Sequence, residues 1–137
     1  MNVSDPAQAY VQARAAAMNG DHVRSAALLA SLAEAEPGQQ ELARKALSEA
    51  MSAGQMDLAL NLAHTIPPAK LNTDARLLLV AEQIRRRHPE QALPYLATSE
   101  TGDLSFLSPL ITAWTQVERG NVDQALATID HYLAQLE

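Results

Sequence analysis

The sequence contains no cysteine, a single tryptophan, a single phenylalanine and only five glycines in 137 residues. Without cysteine there is neither a disulfide framework nor a thiolate metal site, and a cytoplasmic and a periplasmic setting are equally compatible. Aromatics make up 4% of the chain and Val and Ile are scarce, so a β-rich core would be hard to build. The glycines are scattered, with no Gly-x-Gly-x-x-Gly or Walker spacing, which removes the common phosphate-cradling loops. Positive charge is short as well. The net charge of −6 and pI near 5.1 argue against a nucleic-acid or anionic-membrane surface. No apolar run approaches the ~20 residues of a membrane span, so no membrane insertion is expected. The opening Met1-Asn2-Val3-Ser4-Asp5-Pro6 lacks the basic start and apolar run of a secretory signal. The expected protein is soluble, with its compartment left open.

What the chain does have is alanine and leucine, within an apolar content of 47%. Alanine is the best helix former and lets helices approach closely, so the composition predicts an all-α protein. The chain is long enough for one compact domain or a short helical array with a continuous core.

Four short turns mark the chain at Gly20-Asp21, Gly54-Gln55, Arg87-His88 and Gly120-Asn121, in steps of 34, 33 and 33 residues. Five positions after each stands a small residue: Ser25, Ala59, Ala92 and Ala125. A period of this length implies one supersecondary unit copied several times. Each copy reads as helix, tight turn, helix. The first helix is expected from Asp5 to Met18, with Asp5 as cap and Pro6 in the first turn, and Asp21 caps the next until Pro37-Gly38. Leu42, Ala46, Leu47, Ala50 and Met51 form a helical stripe in the second copy, whose second helix is expected over Asp57 to Ile66. The third copy's first helix is expected over Asp74 to Arg87 with the run Leu77 to Val80, followed by a partner helix opened by Pro89 and kinked by Pro94. Pro109 favours a fourth start near Ser108, and Val122, Leu126, Ile129, Leu133 and Leu136 stripe the last helix. The reading is eight helices in four antiparallel hairpins, in one domain over 1–137 with units near 5–37, 39–68, 72–100 and 103–137.

These features resemble the tetratricopeptide repeat. Gly20-Asp21, Ser25 and Pro37 fall at the family's intervals, and Gly120-Asn121-Val122-Asp123-Gln124-Ala125-Leu126 is similar to its second-helix opening. Gly54 to Leu60 and Arg87 to Leu93 follow the same pattern. The family's bulky aromatic and Gly in the first helix are replaced by Ala9 and Ala13, and by Ala43 and Leu47. The flavour is that of Ala-rich bacterial members. The resemblance implies a right-handed α-solenoid whose first helices line a concave groove. Carried over by register, that groove takes Tyr10, Arg14 and Met18 from the first unit and Arg44, Lys45, Ser48 and Met51 from the second. Leu77, Ala81 and Arg85 come from the third, and Leu110 and Trp114 from the fourth. The paired Lys and Asn of carboxylate-clamping members are not reproduced. A groove basic at one end and apolar at the other would suit a partner segment with acidic and hydrophobic character. Taken singly, Trp114 and the leucines read first as packing residues, since apolar stripes on helices are usually core.

No catalytic, metal or cofactor site is expected. His22, His64, His88 and His131 form no His-x-x-x-His or His-Glu-x-x-His pair. Arg85-Arg86-Arg87-His88 ends a helix, where cations meet exposed carbonyls. The expectation is therefore a non-catalytic protein-interaction scaffold that binds a protein or peptide. The alternative is a self-assembly or capping segment of a larger helical-repeat protein or a homodimer. Its self-association surface would be Ile129, Leu133 and Leu136 on the final helix, whose stripe has no following helix to cover it.

Overall fold

A computed structural model describes residues 5–97 and 102–137; the end of the expected third unit, 98–100, and the first four residues lie outside them. The described residues form seven α-helices and three 3-10 segments, with no β-strand among them. The helices are α1 (Pro6–Met18), α2 (His22–Ala35), α3 (Gln40–Ser52), α4 (Met56–Ala63), α5 (Thr73–Arg85), α6 (Ser108–Glu118) and α7 (Val122–Leu136). The all-α reading holds.

The four turns share one hydrogen-bond pattern. At the first, Gly20 N–H donates to Ala17 O at 3.0 Å and Asp21 N–H to Ala16 O at 2.8 Å. The same pair recurs as Gly54 to Met51 and Gln55 to Ala50, as Arg87 to Ile84 and His88 to Gln83, and as Gly120 to Val117 and Asn121 to Gln116. This is the Schellman arrangement, which satisfies the last carbonyls of a helix and needs a left-handed residue. Three copies supply glycine there. The third supplies Arg87 at φ 61°, so an L side chain occupies the backbone region glycine favours. The small residues five positions on, Ser25, Ala59, Ala92 and Ala125, are all buried, because the second helix packs back against the first at that point.

The helix starts follow from their caps. Asp5 Oδ1 accepts from Ala7 N–H at 3.1 Å and Gln8 N–H at 3.4 Å, and Asp21 Oδ1 accepts from Arg24 N–H at 3.1 Å. Asn72 accepts from Ala75 N–H at 2.8 Å, starting α5 at Thr73 instead of Asp74. Pro109 sits in the first turn of α6, which opens at Ser108 as its proline demands.

Two expectations need correction. The helix expected to run to Ile66 closes at Ala63, where Thr65 N–H and Oγ both turn onto Leu62 O and tighten the chain before Pro67. The eighth helix, expected after Pro89 with a kink, is a 3-10 segment, Pro89–Leu96. Pro94 has no N–H to donate, and its ring excludes the carbonyl four residues back, so the α-helical ladder cannot pass it.

The chain divides into two compact units, Met1–Pro67 and Pro68–Glu137. In the first, α1 packs on α2, α2 on α3, and α3 on α4. Its interior is mainly alanine and leucine, with Ala13, Ala26, Leu29, Leu32, Ala46, Leu47, Ala50 and Ala59 buried. In the second, α5 packs on the 3-10 segment, which also meets α6, and α6 packs on α7. Val80, Ala92, Leu96, Leu104 and Ile111 form its core, flanked by Ile84, Tyr95 and Leu107.

Arg76 lies inside the second unit with only 1% of its surface exposed. Its Nη1 donates to Ala97 O at 2.9 Å and more distantly to Tyr95 O at 3.4 Å, while Nη2 donates to Gly102 O at 2.7 Å. A 3-10 segment leaves its last carbonyls without internal partners, and this guanidinium supplies them. Gly102 allows the approach: a Cβ there would lie 3.0 Å from Thr73 Oγ and 3.4 Å from Arg76 Nη2, at φ +140°.

Candidate functional site

The first helices of the hairpins expose one face at matched positions. Ten, six and two residues before the turn residue stand Tyr10, Arg14 and Met18, then Arg44, Ser48 and Ser52, then Leu77, Ala81 and Arg85, then Leu110, Trp114 and Glu118. All are exposed except Tyr10, which is half-buried. Positions seven before the turn (Ala13, Leu47, Val80 and Ala113) are buried in every copy. A rotation of one residue, about 100° around an α-helix, thus separates the packed row from the open one.

In the first unit this face closes into a cleft of about 370 Å³. Five of the expected residues, Tyr10, Arg14, Met18, Lys45 and Ser48, line it together with His22, Ser25 and Glu49. Arg44 lies outside that wall and pairs instead with Glu41 one turn away, at 3.3 Å. Met51 is half-buried on α3 and does not line the cleft.

Two long-range pairs set the cleft's electrostatics. Lys45 Nζ donates to the Tyr10 hydroxyl at 2.9 Å, tying α3 to α1. The same ammonium is 5.2 Å from the ring centroid because it sits at the hydroxyl end, so the contact is the hydrogen bond. That bond, then the charge of Lys45, and then Arg14, hold the Tyr10 phenol below its ordinary ionisation range. His22 Nδ1 donates to Glu49 Oε2 at 2.6 Å, tying α2 to α3. Ser25 Oγ, buried at 1% exposure, has no hydrogen-bond partner among the described residues. The carboxylate in the cleft is thus engaged by histidine, while Arg14 and Lys45 leave its other side positive. Such a wall accepts acidic groups, and Met18, exposed at its edge, offers an adaptable apolar contact.

In the second unit Leu77, Ala81 and Arg85 lie exposed on α5, and Leu110 and Trp114 on α6, Trp114 with 49% of its surface open. Leu79 and Val80, beside Leu77, turn inward. On α7, Leu133 and Leu136 are exposed and Ile129 is half-buried.

The sequence gives no sign of the Tyr10–Lys45 and His22–Glu49 pairs, 35 and 27 residues apart, since they depend on how α1 and α2 are rotated toward α3. A second cleft of about 390 Å³ was also not foreseen. Ala30, Pro37, Gln40, Ala43, Leu58 and Asn61 line it between α2, α3 and α4. Its small residues on two adjacent helices were the available signal. Among the described residues no group of three His, Asp or Glu side chains gathers as a metal site, and no helix is long and apolar enough to cross a membrane. Compared with protein-family models, with curated proteins and with solved structures, the chain finds no match in any of the three.

Proposed function

We propose that this chain is a non-catalytic protein-interaction scaffold built of tetratricopeptide-like hairpins, units of the kind that stack into right-handed superhelices. Its partner is an acidic segment with apolar side chains, received by the first-helix face. The observation that carries this reading is the cleft walled by Tyr10, Arg14, Met18, Lys45 and Ser48. Five residues from two hairpins meet there with two cations uncommitted to any carboxylate of the cleft. The matched exposed rows on α5 and α6 add Leu77, Leu110 and Trp114 as apolar anchors of the same type.

Placing a photo-crosslinking amino acid at Ser48 and irradiating the chain in its host's lysate tests the proposal. The expected product is a discrete crosslinked partner, lost when Arg14→Glu and Lys45→Glu are combined in a chain that keeps its helical circular dichroism. Crosslinks unchanged by this charge reversal, or equal to those from Asp57 on α4, would sink it.

A further inference from the structure

The first and last hairpins are related by a shift of one hundred residues, which superposes Gly20 on Gly120, Ser25 on Ala125 and Leu29 on Ile129. Both have the same Schellman turn and the same buried small residue. They differ in what lies on the second helix. In α2, Ala26 is fully buried and Leu29 is 5% exposed, because α3 packs on that side. In α7 the equivalents are Leu126, 58% exposed, and Ile129, half-buried, and Leu133 and Leu136 beyond them are open. Among the described residues no helix takes the place on α7 that α3 takes on α2.

The exposed flank of this stripe states what would fit. Asp123, Asp130 and Glu137 run along one edge at seven-residue spacing, all exposed. Their equivalents are Val23 and Ala30 on α2 and Pro37 just beyond its end. Ala30 and Pro37 line the cleft that α2 shares with Gln40 and Ala43 of α3. A helix seated on α7 as α3 sits on α2 therefore brings two of its side chains up to two carboxylates. A second α7 in antiparallel pairing would place acidic edge against acidic edge, which like-charge repulsion opposes. A second copy's α1 would present Gln8 and Gln12 at the positions where α3 has Leu42 and Ala46, a poor match for leucines.

We infer that the outer face of α7 is a docking site for an amphipathic helix of a partner protein, with a Leu/Ala seam and a basic edge. This surface is separate from the α1–α3 cleft, and its occupant has the opposite charge to the segment proposed for that cleft.

The probe is a synthetic helix with the sequence of residues 39–53, carrying Gln40→Lys and Ala43→Lys. It also carries Glu49→Leu, because Val122 stands on α7 where α2 has His22. Fifteen residues are marginal as an isolated helix, so a hydrocarbon staple across positions 44 and 48 holds it. A control probe has Glu at positions 40 and 43. Titration into the isotopically labelled full chain is read by amide shifts and Kd, with sedimentation of the free chain alongside. The basic probe is expected to shift α7 resonances and to bind about tenfold tighter than the acidic one at low salt. Leu133→Glu should abolish binding, and Asp130→Lys with Glu137→Lys should invert the preference between probes. Equal binding of both probes, or no shift with either, overturns the inference. So does a dimer of the free chain that Leu133→Glu dissolves, since the occupant is then a second copy.

Discussion

Replacing Arg76 by methionine removes a buried guanidinium while keeping most of the side chain's length and apolar stem. Two of its bonds are short, at 2.9 Å to Ala97 O and 2.7 Å to Gly102 O. The contact to Tyr95 O at 3.4 Å adds little. Hydrogen bonds from a charged donor contribute ~1.5–3 kcal/mol each, so the two sum to ~3–6 kcal/mol. Two effects reduce this. Methionine recovers part of the cost of burying a charge, and the carbonyls of exposed Ala97 and half-buried Gly102 can turn to water. A net loss of about 2–4 kcal/mol remains. With a urea slope of ~1–2 kcal/mol per molar, the midpoint should fall by about 1–4 M. Trp114, the chain's only tryptophan, lies in the same unit and reports its unfolding by emission. Arg76→Lys should fall between, since one ammonium cannot span both carbonyls. If Arg76→Met unfolds within ~0.5 kcal/mol of wild type, the ordinary scatter of a neutral surface change, the reasoning that this guanidinium holds the chain after the 3-10 segment is wrong.

Arg87→Gly should stabilise the chain by about 0.5–1 kcal/mol, the relief of a left-handed L residue less glycine's greater unfolded-state freedom; thermal denaturation that leaves or lowers Tm contradicts it. Ser25→Ala removes a buried hydroxyl with no partner among the described residues and places there the residue that Ala59, Ala92 and Ala125 carry, so a gain of ~1 kcal/mol is expected in urea unfolding. Tyr10 should ionise below the ordinary phenol range in an absorbance titration near 295 nm, and Lys45→Ala should raise it toward that range. The sign follows from a depressed folded-state pKa. The lowered pKa contributes stability that is present above the unfolded phenol value near 10 and is lost as pH falls through the lowered folded value.

Much of the helical layout was legible because local chemistry dictates it. Asp5, Asp21, Gly20, Gly54, Gly120 and Pro109 each act within a few residues of themselves, and the buried row at Ser25, Ala59, Ala92 and Ala125 follows from the period. The 3-10 segment was half legible. Pro94 announced a lost hydrogen bond, but whether the chain kinks or tightens depends on what receives its carbonyls, and Arg76 does that from another helix. Arg76 itself gave no local sign: it stands where the first two copies have Ala9 and Ala43, and an arginine on a helix ordinarily faces water. In the cleft, the exposed rows could be read from register. The Tyr10–Lys45 and His22–Glu49 pairs could not, because they join residues on different helices through side-chain directions that no spacing encodes.

The shared turn has a consequence for how such a chain can change over generations. Since all four junctions close with the same two backbone bonds, an in-frame crossover between two turn codons, for instance from Asp21 to Gln55, deletes the length of one hairpin, α2 and α3, and leaves a single junction that closes with the same two bonds. The gene can therefore lengthen or shorten by whole hairpins without inventing a new connection. Arg87 shows that the bend can be kept without the residue that makes it easy.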